Sequence, residues 1–100
     1  MFGIHRDYII QNQHHFHAHI EVNPIGRLEC EILESRESHH VDFDRISFEN
    51  LEGATKLTGC DEKGRSEAWH LVLTNQDAQE LNQLISLAKE EYEILMRDLM

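Results

Sequence analysis

Near residue 74 the hydrophobic period of this chain changes, and that change constrains the fold more than any other feature. Beyond it, Leu81, Leu84, Ile85, Ala88, Tyr92, Leu95 and Leu99 recur at separations of three and four residues. Such spacing draws one apolar stripe along a helix, so a single long helix is expected over about 75–99. Thr74, Asn75 or Asp77 can cap its start, with Glu80 three residues after Asp77 as in a capping box, and both acids suit the positive end of the helix dipole. Glu93 and Arg97 form a favourable pair four apart near the other end. Leu87 and Ile94 lie off the stripe, as ordinary flanks of a wide buried face or as a second contact surface.

Before residue 74 the period is two. Phe16, Ala18, Ile20 and Val22 alternate with His15, His17, His19 and Glu21, the pattern of a strand with one buried and one wet face. Asn23-Pro24-Ile25-Gly26 places Pro and Gly where a tight reversal wants them, and Leu28, Cys30 and Ile32 return opposite Glu29 and Glu31. After a turn at 35–38, Val41 and Phe43 alternate with His40, Asp42 and Asp44, and Ile46 with Phe48 continues the apolar contact. Residues 49–53 read as loop. Ala54–Cys60 reads as weaker strand material with Gly59 as a bulge, Asp61-Glu62-Lys63-Gly64 as a turn, and 68–73 as the most apolar strand, central or partly covered on both sides, with Trp69, Leu71 and Leu73 on one face. Phe2 to Ile10 supplies a further strand through Tyr8 and Ile10.

The expected fold is therefore α+β: a mainly antiparallel, bent sheet or half-barrel of about five to seven strands, residues 2–74, closed by one long C-terminal helix. A pleckstrin-homology-like geometry is one candidate for such an order. With 100 residues, 40% of them hydrophobic, the chain has material for one core and is expected to form a single domain, 1–100. Cys30 and Cys60, far apart and only two, are neither a disulfide scaffold nor a Cys-x-x-Cys site. Nothing approaches the length of a membrane span or a secretory leader, so a cytoplasmic location is the default expectation.

Charge excludes whole classes of partner. Residues 1–50 carry four Lys and Arg against nine Asp and Glu, residues 51–100 carry five against ten, and the formal net charge is −10. Nucleic-acid affinity rests on cations that neutralise phosphates, and scattered singles such as Arg27, Arg36, Arg45, Lys56 and Arg65 make no stripe. Neither nucleic acid nor an anionic membrane is an expected partner. An acidic surface instead suits a protein partner with a basic or mixed face.

Histidine is the conspicuous excess, eight residues in all, six of them in His14-His15-Phe16-His17-Ala18-His19 and His39-His40. His15, His17 and His19 share one strand face at about 7 Å intervals, which makes them candidate ligands for zinc, nickel or copper, with Glu29, Glu31, Asp42 or His40 completing the shell. Surface histidines on a hairpin more often do nothing beyond solvation, and such a cluster also discharges acidic surface as pH falls from 7 to 5. His5-Arg6-Asp7 with Asn12 matches the kinase catalytic-loop pattern at its fixed positions, but without the preceding nucleotide lobe the match is chance. No nucleophile elbow, P-loop or dinucleotide fingerprint is present, and no catalytic or cofactor-binding residue is expected.

The reading that follows is a small acidic, non-enzymatic protein-interaction domain, an adaptor, inhibitor or immunity-type factor, with a homodimer among the expected assemblies. Its candidate contact residues are the strand acids Glu29, Glu31, Asp42 and Asp44 and the helix flank Leu87 and Ile94. The alternatives are a histidine-based transition-metal-binding protein and a small-molecule-binding or catalytic domain, for which a large apolar pocket between sheet and helix would speak.

Overall fold

The computed structural model describes residues 3–60 and 68–98. It is an α+β fold of two antiparallel sheets and one long helix. The first sheet is a four-stranded meander of β1 (Ile4–Ile9), β2 (His17–Asn23), β3 (Arg27–Ile32) and β4 (Glu37–Asp42). One turn of 3-10 helix, Phe43–Arg45, turns the corner into a second meander of β5 (Ile46–Leu51), β6 (Ala54–Gly59) and β7 (Trp69–Leu73). Helix α1 (Asn75–Asp98) follows directly. The sheets do not merge, but the Gln11 N–H donates to the Val72 carbonyl at 2.8 Å, tying the end of β1 to β7.

Turn chemistry sets the register. At Asn23–Gly26 the Gly26 N–H donates to the Asn23 carbonyl at 3.0 Å and the Ile25 N–H to the Asn23 side chain at 3.0 Å, while Gly26 takes a φ of +103° that favours glycine. That turn aligns Val22 with Leu28 and Ala18 with Ile32, so the apolar positions of both strands share a face. Between β5 and β6 the loop is only Glu52 and Gly53, the latter at φ +80°, the two-residue hairpin that a positive-φ glycine makes accessible.

A single core joins the layers. Ile20, Val22, Leu28 and Val41 from the first sheet and Leu57 and Leu73 from the second are fully buried together with Leu81 of the helix. Trp69, Leu71 and Leu73 share the buried face of β7, as alternation predicts. The Trp69 indole also stacks on His39 of β4, ring centroids 4.8 Å apart, so one aromatic contact bridges the two sheets.

Four local expectations change. Residues 49–51 are strand rather than loop, because Glu52-Gly53 suffices to reverse the chain and β5 pairs on to Leu51. Gly59 is no bulge: it pairs in register with Trp69, whose indole occupies the space a Cβ would need. The central strand of the second sheet is β6, and β7 is at its edge. Finally, the helix stripe is buried only through Ala78, Leu81, Ile85 and Ala88, with Leu84 half-buried; Tyr92 and Leu95 are exposed, because α1 runs on past the strands it packs against, β2, β6 and β7. The expected turn at 61–64, Phe2 and Leu99 lie outside the described residues.

Candidate functional sites

The helix start is built from β6 and β7. Thr74 is the cap, its hydroxyl accepting the Asp77 N–H at 3.1 Å. Buried Thr55 of β6 donates its hydroxyl to the Asn75 side chain at 2.7 Å, which ties the first turn to the sheet. From β1, the Tyr8 hydroxyl reaches the Glu80 carboxylate at 2.8 Å; burial, then that hydrogen bond, push the phenol well above its ordinary range.

These anchors leave a groove of about 420 Å³ beside the helix start. One wall is β5, with Phe48, Asn50 and Leu51; the other is α1, with Asn75, Gln79 and Asn82, and Thr55 and Ala78 also line it. Among the described residues, four carboxamides and two larger apolar side chains therefore line it, and no charged one does. Among the described residues β5 pairs with β6 on one side only, so the strand that lines this groove has its other backbone edge unpaired. The expectation of a loop at 49–53 hid this site; the Glu52-Gly53 pair between two alternating runs was the signal that could have found it.

A second constellation covers the wet face of the first sheet. Here imidazoles and carboxylates meet across the strands, because period-two alternation turns both types outward in register. His19 Nδ1 bonds Asp7 at 2.7 Å, His17 Nδ1 bonds Glu34 at 2.6 Å, and His40 Nδ1 bonds Glu29 at 3.2 Å. The His17 contact holds the Glu34 carboxyl below the usual carboxylate range. His5 Nδ1 stands 3.1 Å from His19 Nε2.

Of the candidate metal ligands, His17 and His19 share the strand face as expected, but each meets a different carboxylate. His15 lies in the turn ahead of β2 at φ 49°. Among the described residues no three His, Cys, Asp or Glu side chains form a group that could hold a metal ion. The residue missed was His5, two positions before Asp7 and so on the same face of β1.

The candidate contact residues are spread over three regions. Glu29 and Glu31 lie on the wet face of β3, Glu31 opposite His19 and Ser38. Asp42 and Asp44 line a groove of about 580 Å³ with Ile25, Phe43, Lys89, Tyr92 and Glu93, where the helix leaves the sheets. Leu87 and Ile94 are 54% and 55% exposed. Cys30, buried opposite His39, has its thiol pushed up to about 12 by burial first and by Glu37 second, so it is no nucleophile at neutral pH. Among the described residues no helix is long and apolar enough to cross a membrane. No family model, no curated protein and no solved structure matches this chain.

Proposed function

We propose that the chain is a protein-interaction domain that receives an extended segment of a partner protein as an added strand on β5. The observation that carries this reading is that β5, the outer strand of its sheet, also lines a groove whose far wall is α1. An edge of this kind offers main-chain donors and acceptors to any extended peptide, while pockets beside it select alternate side chains. The carboxamides of Asn50, Asn75, Gln79 and Asn82 both donate and accept, so they suit a peptide backbone or uncharged polar side chains. With −10 on the domain, segments flanked by basic residues approach fastest. Adaptor or inhibitor roles both follow from such capture.

Peptides selected from a random displayed library test the reading. Bound peptides should shift backbone amide resonances of residues 48–51 and of the first half of α1, and Asn82→Trp, which fills the groove, should remove the binding. Selected peptides that shift resonances elsewhere, and bind Asn82→Trp as well as the parent, would overturn it.

A second reading has its own observation, the helix that overruns the sheets. Leu87, Ile94 and Met96 are exposed there, Leu87 and Ile94 on the side of the helix away from Lys89, Tyr92 and Glu93, which line a groove with Asp42 and Asp44. A basic partner matches this surface better than a second copy, which would set −10 against −10. Binding here would weaken with Leu87→Glu or Ile94→Glu and be untouched by Asn82→Trp.

A further inference from the structure

We infer that His5 and His19 form a two-histidine chelate for one divalent late transition-metal ion, zinc, nickel or copper, on the wet face of the β1–β2 ladder. Asp7 lies directly opposite His19 in register, and its carboxylate accepts from His19 Nδ1 at 2.7 Å. That bond places the ring proton on Nδ1 and leaves the Nε2 lone pair of the neutral imidazole directed elsewhere. It is directed at His5 Nδ1, 3.1 Å away.

The ring centroids are 5.2 Å apart and the facing nitrogens account for most of that distance, so the rings meet edge to edge, nitrogen towards nitrogen. Without a metal, one proton sits between the two nitrogens. A cation can take its place, since two imidazole nitrogens bound to one ion at about 2.0–2.1 Å stand roughly 3–3.4 Å apart at a tetrahedral or square corner. Both side chains are partly or fully solvent-exposed and their terminal torsions are soft, so the turn of roughly 35–45° per ring that aims both lone pairs at the ion is accessible.

Asp7 then has the role of the carboxylate behind a metal-bound histidine, setting the tautomer and raising the basicity of His19. Among the described residues no third ligand joins the pair, so the remaining positions are open to water. The pairing differs from the linear His15, His17, His19 set, because neighbouring strands bring nitrogens closer than alternate residues of one strand do.

The test is calorimetric titration of the untagged full chain with nickel, copper or zinc chloride in a non-chelating buffer, with the urea midpoint of each variant measured alongside. The parent should take up one ion per chain. His5→Ala and His19→Ala should each abolish that uptake at an unchanged midpoint, and Asp7→Asn should weaken it by about tenfold or more. His17→Ala and His40→Ala should bind as the parent does. No uptake by the parent, or parent-like uptake by both His5→Ala and His19→Ala, overturns the site. If a His5 or His19 variant has a lowered midpoint, broadening of imidazole resonances by substoichiometric copper in the parent decides instead: His5 and His19 first supports the chelate, and any other pair first refutes it.

Discussion

Gly59 shows how one absent side chain can set an inter-sheet contact. It pairs with Trp69 across β6 and β7, and the indole lies over it and stacks its face on His39 of the other sheet. Adding a methyl group at Gly59 would drive a Cβ into the indole ring rather than into a flexible chain end. Gly59→Ala is therefore expected to cost about 1–3 kcal/mol by overpacking, read as a lower urea midpoint at unchanged slope. It should also shift Trp69 emission to the red, since the indole, 8% exposed, must move. Gly59→Ala with a parent-like midpoint and emission would mean that the indole does not need this space. Two wet-face histidines follow a related rule, each bonding the carboxylate opposite it in register, Asp7 for His19 and Glu29 for His40.

At the scale of elements, α1 has two halves with different physical roles. Its first half is capped by Thr74, pinned by Thr55 and Tyr8, and buries Leu81 completely; its second half presents Tyr92, Leu95 and Met96 to solvent. Leu81→Ala should accordingly lose about 2–5 kcal/mol as a core truncation, whereas Leu95→Ala should stay within about 0.5 kcal/mol. Chemical denaturation of the two variants side by side checks this, and equal losses would mean that the sheets cover the whole helix. Strand β5 is the complementary case. Its backbone is half satisfied, and the helix standing off from its edge leaves a slot rather than a closed layer.

For the whole molecule, the tie between the first strand and the helix makes stability depend on alkaline pH. The Tyr8 phenol is raised in the folded state, chiefly by burial and then by the Glu80 hydrogen bond. Above about pH 10 the unfolded chain releases this proton and the folded one keeps it, so the unfolded state binds fewer protons and stability falls as pH rises. Below pH 10 the contribution is fully present. Urea midpoints at pH 9 and 11 should show this fall, and Tyr8→Phe should reduce it while costing about 1 kcal/mol at pH 7. An equal alkaline fall in parent and variant would place its cause elsewhere. At the same scale, the net charge of −10 contrasts with the groove beside the helix start, whose described lining residues carry no charge.

The sequence by itself determined the helix, most of the strands and their buried faces. Alternation at Ala18, Ile20 and Val22, at Leu28, Cys30 and Ile32, and at Trp69, Leu71 and Leu73 named the buried side correctly, and the stripe through Leu81, Ile85 and Ala88 named the helix. These are local properties, since a period of two or 3.6 is imposed by the backbone whatever packs against it. The candidate sites were not local. The groove needs β5 to end its sheet and α1 to stand beside it, and the His5 and His19 pair needs the β1–β2 register that brings residues 14 apart into contact. The end of burial at Ala88 likewise depends on where the sheets stop, a length the helical period does not contain. Only the tertiary structure decides such juxtapositions, because register, strand order and overhang are set by the closing of one core around all eight elements, and no segment carries that information alone.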